Sequence, residues 1–137
     1  MELEYTYEKK FSKDDLSRLF RSVKWVSAEY PERLLKALMN SSAVLTAWDG
    51  SRLIGLIRIL DDTELVAYIH YVLVDPEYQG RGIASHMLEM IKERYNSYLY
   101  IEVMPEDSSN VPFYQHNGFS LMENGRAMQI CNFSDKR

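Results

Sequence analysis

One cysteine in 137 residues, Cys131, excludes an intrachain disulfide and a multi-cysteine zinc site. No apolar run reaches the roughly 18 residues that cross a bilayer. The N-terminal Met-Glu-Leu-Glu-Tyr lacks the basic and apolar regions of a signal peptide. Positive charge is not in excess: the net charge is −4, which disfavours nonspecific nucleic-acid binding and mildly favours cationic or amine partners. These absences point to a soluble cytoplasmic protein with neither membrane nor nucleic-acid partners. What remains is ordinary for one globular domain spanning residues 1–137, with 46% hydrophobic and 26% charged residues.

Local signals divide the chain. Residues 1–6 alternate weakly, as a strand does. Ser12 is placed to cap a helix whose first turn carries Asp14 and Asp15, and Leu16, Leu19, Phe20 and Val23 recur at helical spacing. Pro31 opens a second helix with Leu34, Leu35, Leu38 and Met39 on one face. Residues 43–48 and 53–60 flank Asp49-Gly50, a hairpin signal, and residues 65–74 form the longest strand pattern. A helical face follows over 81–95, then a strand over 98–104 stopped by Pro105. A short helix spans 111–116, and alternation over 119–122 and 127–133 predicts a closing strand pair. The last three residues read as a frayed tail. The order β-αα-βββ-α-β-α-ββ describes one mixed α/β domain.

The most informative segment is Val72-Leu73-Val74-Asp75-Pro76-Glu77-Tyr78-Gln79-Gly80-Arg81-Gly82-Ile83-Ala84. A strand stops, a turn follows, and a helix opens on glycines. Free N–H groups at a helix N-terminus, with the helix dipole behind them, attract anions, and glycine lets a phosphate approach the backbone. The dinucleotide pattern Gly-x-Gly-x-x-Gly and the P-loop pattern are both absent.

Gln79-x-x-Gly82-x-Ala84 resembles the acetyl-CoA motif of the GCN5-related N-acetyltransferases (GNAT). The segment Asn110-Val-Pro-Phe-Tyr114-Gln-His-Asn-Gly-Phe119 resembles the same family's second motif. The resemblance covers nearly the whole chain. It implies a strongly twisted mixed sheet of about six to seven strands flanked by four helices. Residues 53–58, Asp61-Asp62 and the long strand loosely resemble arylalkylamine or serotonin N-acetyltransferase-like members.

The resemblance also implies roles. Acetyl-CoA donates acetyl directly to a primary amine of a small molecule, without a metal. Val72, Leu73 and Val74 would pair with pantetheine along a splayed strand edge. Gln79, Gly80, Arg81, Gly82, Ile83 and Ala84 would cradle the pyrophosphate, with Asn110 as a further cofactor contact. The Asn110–Tyr114 spacing is shorter than in many members, and Ser108 is a second candidate for Asn110's role. Tyr114 would contact the cofactor and protonate the leaving thiolate. The family's usual carboxylate base is missing here: His70 and Tyr71 stand in its place. His70, Glu102 or water remain open as the base, and Asp61 or Asp62 as a cation attractor. Trp25, Tyr30, Tyr71 and Glu102 are candidate substrate contacts. Cys131, within a strand pattern, is expected to be a buried packing residue. Dimers are common in the family, so a homodimer is allowed. A CoA-binding sensor without turnover, or an enzyme acetylating proteins or peptides, are the alternative readings.

Overall fold

The computed structural model describes residues 2–133. The elements in chain order are β1 (Glu4–Thr6), α1 (Lys13–Ser22), α2 (Pro31–Met39), β2 (Ala43–Asp49), β3 (Arg52–Asp61), β4 (Val66–Val74), α3 (Ile83–Arg94), β5 (Tyr100–Val103) and α4 (Val111–His116). Short 3₁₀ turns cover Val26–Glu29, Pro76–Tyr78 and Ser108–Asn110.

The local signals act as read. Ser12 Oγ accepts from Asp15 N at 3.1 Å, and Asp15 Oδ2 accepts from Ser12 N at 2.9 Å, a complete capping box. Pro31 begins α2, where its missing N–H costs no hydrogen bond. The Asp49-Gly50 turn joins β2 and β3 as an antiparallel hairpin.

The five strands lie in the order β1-β2-β3-β4-β5. All neighbours are antiparallel except β4 and β5, which are parallel and joined through α3. Alternating side chains serve two faces. Val44, Trp48, Leu53, Leu56 and Leu73 pack under α1 and α2, against Leu16, Leu19, Phe20, Leu34 and Leu38. Leu45, Ile57, Ile59, Ala67 and Ile69 pack under α3, against Met87, Leu88 and Ile91. Gly55 allows α3 to approach closely, since a Cβ there would lie 3.0 Å from Met87 Cε and 3.3 Å from Ala47 Cβ. The first neighbour can swing aside and the second cannot. A branched side chain therefore overpacks this layer. Gly55→Val is expected to lower unfolding free energy by about 2 kcal/mol in chemical denaturation, within the usual range for overpacking.

The strand count is a correction. The closing strands expected over 119–122 and 127–133 are not formed, so the sheet has five strands among the described residues. Alternation is present, but a strand is stabilised by cross-strand pairing, and no described strand pairs with this segment. Met128 is 93% exposed and Ile130 88% exposed. Gln129, Cys131 and Phe133, on the alternate side, line the cleft described next. The expected frayed tail lies outside the described residues.

Candidate active site

The site is built where β4 leaves β5. The parallel ladder runs from Val66 opposite Tyr100 to Ile69 opposite Val103 and stops. At that point Arg58 faces Tyr71 while Ile59 faces Ile69, so His70 is an extra residue, a β-bulge in β4. Beyond it, Val72, Leu73 and Val74 pair only with β3. Asp75 N donates to Ile54 O at 2.8 Å. By antiparallel alternation Leu73 also turns its backbone groups to β3, whereas Val72 and Val74 turn theirs to the open edge. The N–H groups of Val72 and Val74 therefore point to the edge that β5 leaves open.

The glycine turn is fixed by buried polar contacts. Asp75, only 3% exposed, caps the 3₁₀ turn by accepting from Glu77 N at 3.0 Å, and Arg52 Nη2 lies 3.1 Å from its Oδ2. The Tyr78 hydroxyl donates to Asp49 Oδ2 at 2.5 Å. Gln79 Nε2 donates to Val74 O at 2.9 Å, tying the loop back to β4. Gly82 then opens α3 with φ +78°, a conformation that favours glycine, and no side chain caps the helix. The first turn of α3 carries no acidic residue. A Cβ at Gly80 or Gly82 would meet nothing within 4 Å. The uncapped N–H groups therefore face open space.

A cleft of about 1010 Å³ joins these parts. Its floor is the free edge of β4 and one end is the start of α3. Its other end holds Trp25, Ser27, Tyr68, His70 and Tyr71. Trp25 and Tyr71 pack at 5.5 Å between ring centroids, and Ser27 Oγ lies 2.7 Å from the Tyr71 hydroxyl. Tyr114 and Asn110 close the β5 side. Tyr114 is 9% exposed, and burial, then the charge of Glu106, push its phenol up to about 12.

His70 has a fixed orientation. Arg58 Nη1 lies 2.8 Å from His70 Nδ1, and Arg58 Nε donates to Ser41 Oγ at 2.9 Å. A guanidinium only donates, so Nδ1 must accept and the neutral ring carries its proton on Nε2. Burial, then the Arg58 charge, hold His70 below the ordinary imidazole range.

Residues 9–119 match the model of the acetyltransferase (GNAT) family. The chain belongs to that family. An N-acetyltransferase called ycf52-like, uncharacterized, from Prochlorococcus marinus is 30% identical over 116 residues, or 81% of this chain. A soybean (Glycine max) protein named histone acetyltransferase TAP1 is 31% identical over 123 residues, again 81% of this chain. The chain spans 64% of the first protein's length and 53% of the second's. A GNAT-family acetyltransferase of Streptococcus pneumoniae TIGR4 has the same fold, with TM-score 0.81 and 24% identity over 97% of this chain and 100% of its own. Membership implies acetyl-CoA as the co-substrate.

Against the acetyltransferase expectations, the cleft brings together Trp25, His70, Tyr71, Val72, Leu73, Val74, Gln79, Gly80, Gly82, Ile83, Ala84, Asn110 and Tyr114. Arg81, Tyr30 and Glu102 are not among its lining. Arg81 Nη2 donates to Glu77 O at 3.2 Å and its guanidinium sits over the Tyr78 ring. Tyr30 turns away to bury its hydroxyl, with Arg33 over its ring. Glu102 lies in the paired part of β5, opposite Tyr68. Asp61 accepts from Tyr95 and Tyr98, and Asp62 Oδ1 accepts from three backbone N–H groups of its own turn, so both serve structure. Cys131 is exposed at the cleft rather than buried, because the strand expected to bury it does not form. Glu106 was missed. It lines the cleft just after Pro105, together with Trp25 and Tyr114, and its charge acts on the Tyr114 phenol. Its only local signal is a carboxylate past the C-terminal end of a strand.

Proposed function

We propose that this chain catalyses direct transfer of acetyl from acetyl-CoA to a primary amine of a small molecule. The observation that carries the reading is one continuous cleft joining the free edge of β4, the uncapped start of α3 and the buried Tyr114 phenol. Those are the groups that a thioester with a pyrophosphate tail would use.

The N–H groups from Gln79 to Ala84 would hold the pyrophosphate, with helix dipole and glycine access acting together. Pantetheine amides would pair with the backbone of Val72 and the N–H of Val74, whose carbonyl already accepts from Gln79 Nε2, as an added strand. A free N–H at this edge would bond the thioester oxygen as it gains negative charge during attack, a contribution of roughly 3 kcal/mol for one placed donor. Tyr114 would give a hydrogen bond to sulfur as the C–S bond breaks. His70, with its proton on Nε2, would offer a donor rather than a base. Trp25 and Tyr71 would form the wall of the acceptor lobe. Cleft ends of aromatic and mixed polar character suit a compact amine better than an extended peptide.

The test is an acetylation assay, following thiol release and product mass, over arylalkylamines, polyamines, amino sugars and peptides. Transfer to a small amine is the expected outcome. CoA binding with no transfer to any acceptor would instead mark a sensor module, and transfer to peptides alone a protein acetyltransferase.

A further inference from the structure

We propose that Glu106 is the carboxylate that holds the acceptor's ammonium group and takes its proton before attack. The proposal rests on the acetyl-transfer reading and adds to it a named base and a cationic site. An amine at neutral pH is mostly protonated, with an ordinary value near that of lysine, about 10.4. It has no lone pair until the proton leaves.

Elimination and placement agree on Glu106. His70 Nδ1 is occupied by Arg58, and its other nitrogen already carries a proton. Glu102, Asp61 and Asp62 do not line the cleft. Among the described residues, Glu106 is the one acidic side chain that does. It is an exposed residue past the C-terminal end of β5, where β4 and β5 diverge, and it lines the cleft that Trp25 and Tyr114 also line. Trp25 and Tyr71, the aromatic wall of the acceptor lobe, line the same cleft as this carboxylate. Glu106 and Tyr114 line one cleft, which gives base and acid a common space.

The step balances. The ammonium gives one proton to the Glu106 carboxylate, directly or through one water. The freed nitrogen lone pair forms the C–N bond at the thioester carbon, and the carbonyl π pair moves to oxygen. That pair returns, the C–S bond breaks, and its electrons leave on sulfur. Tyr114 supplies sulfur with a proton and recovers one from the new N–H⁺. Glu106 returns its proton to solvent. The net reaction is ammonium plus acetyl-CoA giving amide, CoA thiol and one proton.

Besides Glu106, the charged and titratable side chains lining the cleft are Lys24 from the α1–α2 connection, Tyr68, His70 and Tyr71 from β4, Tyr78 from the turn before α3, Tyr114 from α4 and Cys131 from the C-terminal segment, and Asp107 is its chain neighbour. Burial and then Asp107 raise the carboxyl above the ordinary range, with Trp25 opposing. A bound acceptor would exclude more water, raising the carboxyl and lowering the ammonium, which brings their proton affinities closer.

The experiment uses the full chain as wild type, Glu106→Gln and Glu106→Asp, with acetyl-CoA and an amine that wild type acetylates. Three quantities are read: CoA affinity by calorimetry, kcat/KM against pH, and the Glu106 carboxyl titration by ¹³C NMR, assigned from the signal missing in Glu106→Gln. Expected is a Glu106→Gln variant with CoA affinity within about twofold. Its kcat/KM should be about 10²-fold down through kcat, with loss of the acidic limb. Glu106→Asp should restore the limb at reduced rate, and the NMR midpoint should lie above that of an ordinary glutamate. An unchanged limb, or a higher KM with kcat and limb intact, would overturn the base role. A wild-type chain that binds CoA yet acetylates no amine would instead overturn the transferase reading, and the base role with it.

Discussion

Gly82→Asp is expected to remove CoA binding while leaving the protein folded. Gly82 precedes the first turn of α3 at φ +78°, ψ 11°, with no capping side chain. Any L side chain there carries a backbone strain of roughly 1–2 kcal/mol. A carboxylate beside uncapped N–H groups is itself attracted by the helix dipole, which offsets part of that strain. Thermal stability should therefore fall by only a few degrees. Binding is different, because the carboxylate occupies the pole that a pyrophosphate needs. One unit charge against another at about 5 Å and an effective dielectric of about 20 repel by about 3 kcal/mol. Allowing for screening, affinity should fall by at least about 10²-fold. Gly82→Ala separates the two effects, since it adds the Cβ without the charge, and should weaken binding by about tenfold. Calorimetry with CoA reads both, and an Asp variant with wild-type affinity would remove the pyrophosphate from this turn.

The contrast between this turn and Glu106 shows what kind of information a single sequence holds. Gly80 and Gly82, the Ser12 cap, Pro31 and the Asp49-Gly50 hairpin are local: a few adjacent residues carry the whole physical reason for the conformation. The splayed edge was inferred from resemblance, yet its physical cause is the bulge at His70, visible only in the β3–β4 register. Arg58 and His70 are twelve positions apart and meet only because that register shifts. This contact changes what His70 can do, and no pattern in either strand announces it. Glu106 follows Met104-Pro105 and precedes Asp107, which reads as an acidic surface loop until Trp25 and Tyr114 arrive from distant elements. The closing strands failed for the opposite reason. Residues 127–133 alternate well, but alternation identifies a face and not a partner, and the backbone groups of a strand must find one.

Tyr114→Phe is expected to lower kcat by about 10²- to 10³-fold while CoA affinity changes by less than about threefold. The phenol, at about 12, keeps its proton at every pH at which the reaction would be assayed. Wild type should therefore show no alkaline loss from Tyr114 ionisation below about pH 10. An ordinary thiol titrates near 8.5, so proton transfer from this phenol to a CoA thiolate is uphill by roughly 5 kcal/mol in the resting site. Part of that difference comes from the negative charge of Glu106. When Glu106 has taken the ammonium proton, that charge is gone and Tyr114 becomes the stronger acid. Base and acid are thus coupled in the useful direction: loading the first prepares the second for the moment the C–S bond breaks. The coupling has its own signature. In Glu106→Gln the phenol should titrate lower than in wild type, by ultraviolet difference spectroscopy with Tyr114→Phe as the blank. A Tyr114 midpoint indifferent to Glu106→Gln would leave Tyr114 as a hydrogen-bond donor acting alone, and the kcat losses of the two single variants would then multiply in the double variant.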